Sequence, residues 1–200
     1  MPQFGYQLQF GSPDRKVEKV VAGEAKIRKW LTGMYGGKPK SGKVLMNPKK
    51  GIDLSLVEED EFEMTPLLNQ EVGVSIVICH SISVLANDLQ ELDYYVAQFT
   101  KSGLEGPCNW YRTREVNFED EKALPADQRQ GVKQPSLFVF AEKDSVLSED
   151  LTKGMDKAIP NLTKGRVPAT HWALWHTPVE TNDIIKRWFE GVVLGGKSKL

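Results

Sequence analysis

Ser136-Leu137-Phe138-Val139-Phe140-Ala141-Glu142-Lys143-Asp144 is the stretch that decides the fold. Five consecutive apolar residues follow Ser136 with no polar alternation, the pattern of a strand buried on both faces. Two charged residues then lead to Asp144, beyond the strand's end. Residues 149–159 read as a helix that Pro160 stops. Gly165-Arg166-Val167-Pro168-Ala169 reads as a second short strand. Residues 178–192 read as a last helix, with Ile185, Trp188, Phe189 and Val192 as its apolar stripe and Pro178 suited to its first turn. Strand, helix, strand, helix in this order implies an α/β arrangement with a parallel sheet and right-handed crossovers. Two strands alone make no stable parallel sheet. This part therefore reads as the end of a larger sheet, or as one that pairs with something outside the chain.

Toward the N-terminus the character changes. Residues 15–35 read as one helix, because Val17, Val20, Val21, Ile27, Trp30, Leu31 and Met34 fall largely on one face and Gly36-Gly37 ends it. Residues 38–70 read as mostly irregular, punctuated by Pro39, Pro48 and Pro66. The acidic run Glu58-Glu59-Asp60-Glu61 reads as a solvated face rather than a metal site. Residues 91–102 keep helical spacing through Leu92, Tyr95, Val96 and Phe99, and Gly103 closes them. Between these segments lie residues 72–90, nineteen residues with a single charge, Asp88. This segment reads as an insert. Val74-Ser75 and Gln90 can be encoded by splice-donor and splice-acceptor triplets, and nineteen codons keep the frame, so a retained short intron is the expectation, with a genuine insertion as the alternative.

The bulk properties exclude several functional classes. The chain is 40% hydrophobic and 26% charged over 200 residues, ordinary for a globular protein of one domain, or one domain plus a small module. A net charge of −1 gives no nucleic-acid or membrane surface. No apolar run reaches the roughly 18 residues a membrane span needs. No secretory signal is expected after Met1. Cys79 and Cys108 are too few for a disulfide framework, which suits a reducing compartment. Asn161-Leu162-Thr163 then reads as a chance glycosylation match. No metal-ligand spacing, phosphate loop or dinucleotide motif occurs, so no cofactor is expected. The chain closes Gly195-Gly196-Lys197-Ser198-Lys199-Leu200. A terminal Ser-Lys-Leu is a peroxisomal address, which makes the import receptor an expected partner through Ser198, Lys199 and Leu200.

The residues with chemical promise are Asp144 and His171. Asp144 follows one expected strand and His171 the next, and carboxyl-terminal strand ends are where parallel sheets place working groups. Acid after one strand and histidine after the next, before the final helix, matches the chain order of α/β-hydrolases. In such a pair the carboxylate fixes the imidazole tautomer, and the far nitrogen takes a proton from water. His176 is expected to pack or face solvent. Cys79-His80-Ser81 is rejected as a nucleophile centre, because no Gly-x-Ser-x-Gly elbow surrounds Ser81 and adjacent residues do not make a catalytic geometry.

Gly106-Pro107-Cys108-Asn109-Trp110-Tyr111-Arg112, read with Ala141-Glu142-Lys143-Asp144 and His171-Trp172, resembles the second half of α/β-hydrolase-fold epoxide hydrolases of the soluble fungal type. The resemblance runs from residue 3 to about 192, excluding 72–90. It implies an incomplete α/β-hydrolase fold: a helical cap over 1–123, the last two parallel strands and helices of the core over 124–193, and a flexible tail over 194–200. It also implies an enzyme that opens epoxides to vicinal diols through a covalent aspartyl ester. Asp144 resembles the acidic partner and His171 the base. Tyr111 and Tyr6, the latter in Phe4-Gly5-Tyr6-Gln7-Leu8, resemble the two phenols that hold the epoxide oxygen. Trp110 and Trp172 are read as substrate-pocket walls, with packed core as the alternative. The family's His-Gly-Phe-Pro-like loop and His-Asp-x-Gly-like nucleophile elbow do not occur in this sequence, so a truncated enzyme is expected. A non-catalytic remnant or interaction protein is the alternative. A dehalogenase of the same fold is disfavoured, because a departing halide gains little from phenol protonation.

Overall fold

The structure is a computed structural model and describes residues 4–63, 91–126, 128–129 and 131–195. The inserted stretch 72–90, with Cys79 and His80, and the terminal Ser198-Lys199-Leu200 lie outside the described residues. The chain forms two compact units, Met1–Val116 and Asn117–Leu200. The division falls inside a helix, where the sequence reading set the change after residue 123.

The first unit is helical. Helices α1 (Gly5–Phe10), α2 (Lys16–Val20) and α3 (Glu24–Met34) lead to a two-stranded hairpin, β1 (Met46–Asn47) and β2 (Gly51–Ile52). Helices α4 (Leu54–Glu59), α5 (Glu91–Ser102) and α6 (Glu105–Arg112) follow, and α7 (Arg114–Ala123) spans the division. The expected single helix over 15–35 is two helices. Gly23 sits at φ +82°, a conformation that costs glycine little and other residues much. The resulting bend lets Val17 and Val21 enter the same core as Ile27, Trp30 and Leu31. That core is completed by Leu54, Leu56 and Val57 of α4, Leu92 and Val96 of α5, and Cys108 of α6. The irregular reading of 38–70 missed α4. Asp53 caps it, its Oδ1 accepting from the Ser55 amide at 3.2 Å and the Ser55 hydroxyl at 2.6 Å. The acidic run at its end is occupied by cations and a hydroxyl: Glu58 pairs with Lys26 at 3.3 Å, Glu61 with Lys29 at 3.0 Å, and Asp60 accepts from Ser41. Helix α5 ends as the sequence reads, with Gly103 at φ +66° and its amide on the Phe99 carbonyl at 2.8 Å.

The second unit carries a parallel pair, β3 (Ser136–Ala141) and β4 (Leu162–Val167), in register from Ser136 opposite Leu162 to Ala141 opposite Val167. Between them run a 3₁₀ turn (Glu149–Thr152) and α8 (Met155–Ala158). The expected continuous helix over 149–159 is split by Gly154, at φ +85°. Strand β4 begins three residues before the expected Gly165. The burial expected for β3 is not reached: every residue in it is partly exposed. Among the described residues the sheet has only these two strands, so one strand edge of β3 and part of its surface stay open. Helix α9 (Ala173–His176) and helix α10 (Pro178–Trp188) follow, and a π-helical turn (Phe189–Val193) ends the last helix. Helix α10 lies on the sheet. A Cβ added at Gly165 would come within 2.8 Å of Ile184 Cγ2, so the missing side chain is what admits this helix.

Candidate active site

The parallel register brings the ends of β3 and β4 side by side. The lacing continues past the strands. Glu142 donates its amide to the Val167 carbonyl at 3.0 Å and Lys143 donates to Ala169 at 2.9 Å. Asp144 then turns back, its amide on the Ala141 carbonyl at 3.1 Å. Its carboxylate is divided between two tasks. Oδ1 accepts from the Val146 amide at 2.7 Å and the Leu147 amide at 3.0 Å. Oδ2 faces His171 Nδ1 at 2.9 Å. The Asp144 side chain is 6% exposed and that of His171 43%. Sequence order thus paired two residues that the fold does bring together.

Burial by itself would raise the Asp144 carboxyl. The amides of Leu147 and Val146, then His171, outweigh it and hold the carboxyl below its ordinary value. An ionised carboxylate only accepts, so Nδ1 of His171 is the donor. In the neutral ring Nε2 then keeps a lone pair, able to take a proton from a bound water. The same shift sets an acid sensitivity. The unfolded chain binds this proton more readily than the folded one, so acid favours unfolding. The stabilisation is complete above the unfolded carboxyl value of about 3.9 and drains away as pH falls through the lower folded value. Thermal melts of the chain from about pH 5 downward are expected to lose stability more steeply in wild type than in Asp144→Asn. Parallel acid limbs would refute this.

The histidine loop has a second support that sequence reasoning missed. The amide of Thr170, next to His171, donates to Nδ1 of His176 at 3.2 Å. His176 was expected only to pack or face solvent. No local pattern marks a bond from a loop amide to a side chain six residues later. Trp172 stands edge-on to the His171 ring with centroids 5.3 Å apart, and Trp175 edge-on to Trp172 at 5.8 Å.

In the first unit, Tyr6 of α1 and Tyr111 of α6 meet edge to face with centroids 6.1 Å apart. Phe10, one turn beyond Tyr6, lies 5.1 Å from Tyr111. Gln7 Nε2 donates to the Tyr6 hydroxyl at 3.2 Å. Burial, then Tyr6 and Cys108, raise the Tyr111 phenol above its ordinary value. A phenol kept protonated in this way can donate a hydrogen bond to an oxygen that is gaining charge. Cys108 is buried and its thiol is pushed up to about 11, chiefly by desolvation and then by Glu18, so it is an inert packing residue. Trp110 is 79% exposed and so is no core residue of this unit. Among the described residues no three or more His, Cys, Asp or Glu side chains gather as a metal site.

No family model matches the chain. Epoxide hydrolase srdG of Neurospora crassa is 35% identical over 196 residues, covering 94% of this chain and 51% of that protein. Bifunctional epoxide hydrolase 2 of Rattus norvegicus is 40% identical over 103 residues, covering 50% of this chain and 18% of its own length. Among solved structures, Epoxide Hydrolase A from Mycobacterium thermoresistibile matches 93% of this chain and 52% of its own, with a TM-score of 0.61 and 20% identity. Epoxide hydrolase I of potato, Solanum tuberosum, matches 94% and 53%, with a TM-score of 0.58 and 22% identity. At these identities the solved structures establish the fold, which is a partial α/β-hydrolase fold. By sequence the chain is similar to these epoxide hydrolases, and it spans about half the length of the Neurospora protein.

Proposed function

We propose that this chain supplies the oxygen-holding and water-activating groups of an epoxide hydrolase. The carrying observation is the Asp144–His171 pair at 2.9 Å, with the other carboxylate oxygen held by two amides. On this reading the helical first unit is the cap. Tyr6 and Tyr111 donate to the epoxide oxygen as the ring opens, Trp110 and Trp172 line the substrate's path, and an aspartate forms a hydroxyalkyl ester. His171 Nε2 then takes a proton from the water that cleaves the ester, and Asp144 stabilises the imidazolium. A vicinal diol leaves. No histidine of this sequence is followed by aspartate, so the ester-forming carboxylate is assigned to a segment outside it.

The test joins the nucleophile-bearing half of the Neurospora relative ahead of residue 1 and follows diol formation from styrene oxide. The fusion is expected to turn over, to lose turnover with His171→Ala, and to slow with Tyr6→Phe or Tyr111→Phe. The 200-residue chain alone is expected to show none. A folded, inactive fusion would favour a non-catalytic remnant. Turnover by the chain alone, abolished by His171→Ala, would overturn the assignment of the nucleophile.

The proposed location is the peroxisome. It rests on Ser198-Lys199-Leu200 after Gly195-Gly196. A fluorescent protein ending in residues 191–200 is expected to enter peroxisomes. The same fusion without the last three residues, or extended past Leu200, is expected to remain cytosolic. Equal cytosolic signal from all forms would sink the proposal.

A further inference from the structure

Arg112 follows Tyr111 directly, yet its side chain is only 17% exposed and its ionic partner Glu18, on α2, only 14%. Its guanidinium reaches three acceptors. Nη1 donates to Asn109 Oδ1 at 2.9 Å, within α6. Nη2 donates to Glu18 Oε1 and, at 3.5 Å, to the carbonyl of Ser12 in the turn between α1 and α2. Its Nε–H is buried without a partner. Burying a guanidinium with one donor unpaired costs stability, so this pair is not explained as a simple stabiliser. What it does fix is geometry. It ties the C-terminal end of α6 to the segment that follows α1, at the point where the two backbones nearly touch. A Cβ added at Gly11 would lie 3.0 Å from the Tyr111 carbonyl oxygen. Tyr6 and Phe10 of α1 pack on Tyr111 from that same side.

We propose that the Arg112–Glu18 pair is a positioning device that sets the Tyr6 and Tyr111 hydroxyls relative to each other. Its functional meaning rests on the reading of these phenols as donors to a substrate oxygen. Two helices joined only through aromatic packing could rotate and slide. The guanidinium, with Nη1 held inside α6 by Asn109 and Nη2 shared between Glu18 of α2 and the Ser12 carbonyl just after α1, removes that freedom. Lysine at 112 would keep the charge but lose the fork.

The test is nuclear magnetic resonance of the full chain with labelled tyrosine rings. Wild type is expected to show a Tyr6–Tyr111 ring cross-peak and, as an internal control in the same unit, a Tyr35–Tyr95 cross-peak from their stacked rings. Arg112→Met, and separately Glu18→Gln, are expected to lose the first and keep the second. The Tyr111 ionisation, raised by burial, is expected to relax toward the ordinary phenol value in both variants. Arg112→Lys is expected to behave like Arg112→Met. Retention of the Tyr6–Tyr111 cross-peak in both variants overturns the proposal. Loss of both cross-peaks together also overturns it, because the pair would then support the whole unit rather than one contact. Adding styrene oxide to wild type tests the donor reading separately. If neither the Tyr6 nor the Tyr111 signal moves, that reading fails, while the cross-peak result still decides what the pair does.

Discussion

Asp144→Asn is expected to put the proton of His171 on the wrong nitrogen. Two backbone amides, from Val146 and Leu147, point at the Oδ1 position. An asparagine NH₂ there would set donor against donor, so the amide oxygen must take that place. The NH₂ then faces His171 Nδ1, which becomes an acceptor, and the neutral ring carries its proton on Nε2. Nε2 can no longer take a proton from water. In the active fusion described above, the loss in turnover is expected to be of order 10⁴-fold, as for a wrong-tautomer histidine in comparable triads. Imidazole ¹⁵N shifts of the chain alone are the direct check: the signal of an unprotonated nitrogen moves from Nε2 to Nδ1. Asp144→Ala removes the acceptor without supplying a donor, and the ring then has no imposed tautomer. An unchanged ¹⁵N pattern in Asp144→Asn would mean that the carboxylate does not govern the ring.

A large structural effect is expected at Gly5, next to Tyr6. A Cβ there would stand 1.8 Å from the Lys49 carbonyl oxygen and 2.5 Å from its carbon. These are backbone atoms, which cannot swing aside as a side-chain end does. The Gly5 amide also donates to the Pro48 carbonyl at 2.9 Å. Alanine must lift the start of α1 off this loop, break that hydrogen bond and carry Tyr6 with it. Gly5→Ala is expected to cost about 3 kcal/mol, at the upper end of the range for overpacking, and to weaken the Tyr6–Tyr111 contact. Chemical denaturation gives the first quantity and the ring cross-peak the second. A cost within about 0.5 kcal/mol, typical of neutral surface changes, would show the loop to be soft.

What the sequence disclosed depended on how local the determining physics is. Strand β3 coincides with its apolar run, and α5 with its spacing and with Gly103, because both follow from side-chain periodicity and one glycine. The Asp144–His171 pairing was legible from order along a parallel sheet, since register alone places the two strand ends together. Gly23 does not stand out in the sequence because the apolar face continues on both sides of it, and only the core shows that the chain must bend there. Helix α4 depends on one capping carboxylate, Asp53, in a short segment between prolines. The open surface of β3 could not be read from its composition, because burial is a property of what surrounds a strand. The Arg112–Glu18 and Thr170–His176 bonds join residues that no spacing rule connects. Tyr6 and Tyr111 were paired only through resemblance, and their edge-to-face contact is a finding of the structure.

The hydrogen bonds from Glu142 to Val167 and from Lys143 to Ala169 have a consequence for descent. They fix the spacing of Asp144 and His171 locally, without help from the connection that links the two strands. That connection already breaks at Gly154 into a 3₁₀ turn and one short helix. Closing a longer loop costs little, about 0.6 kcal/mol for each doubling of its length. Insertions and deletions between Ser148 and Pro160, beyond the Val146 and Leu147 amides that hold Asp144, are therefore nearly neutral for the pair. Lineages of this protein are expected to differ there in length long before they differ in the separation of the acid from the histidine.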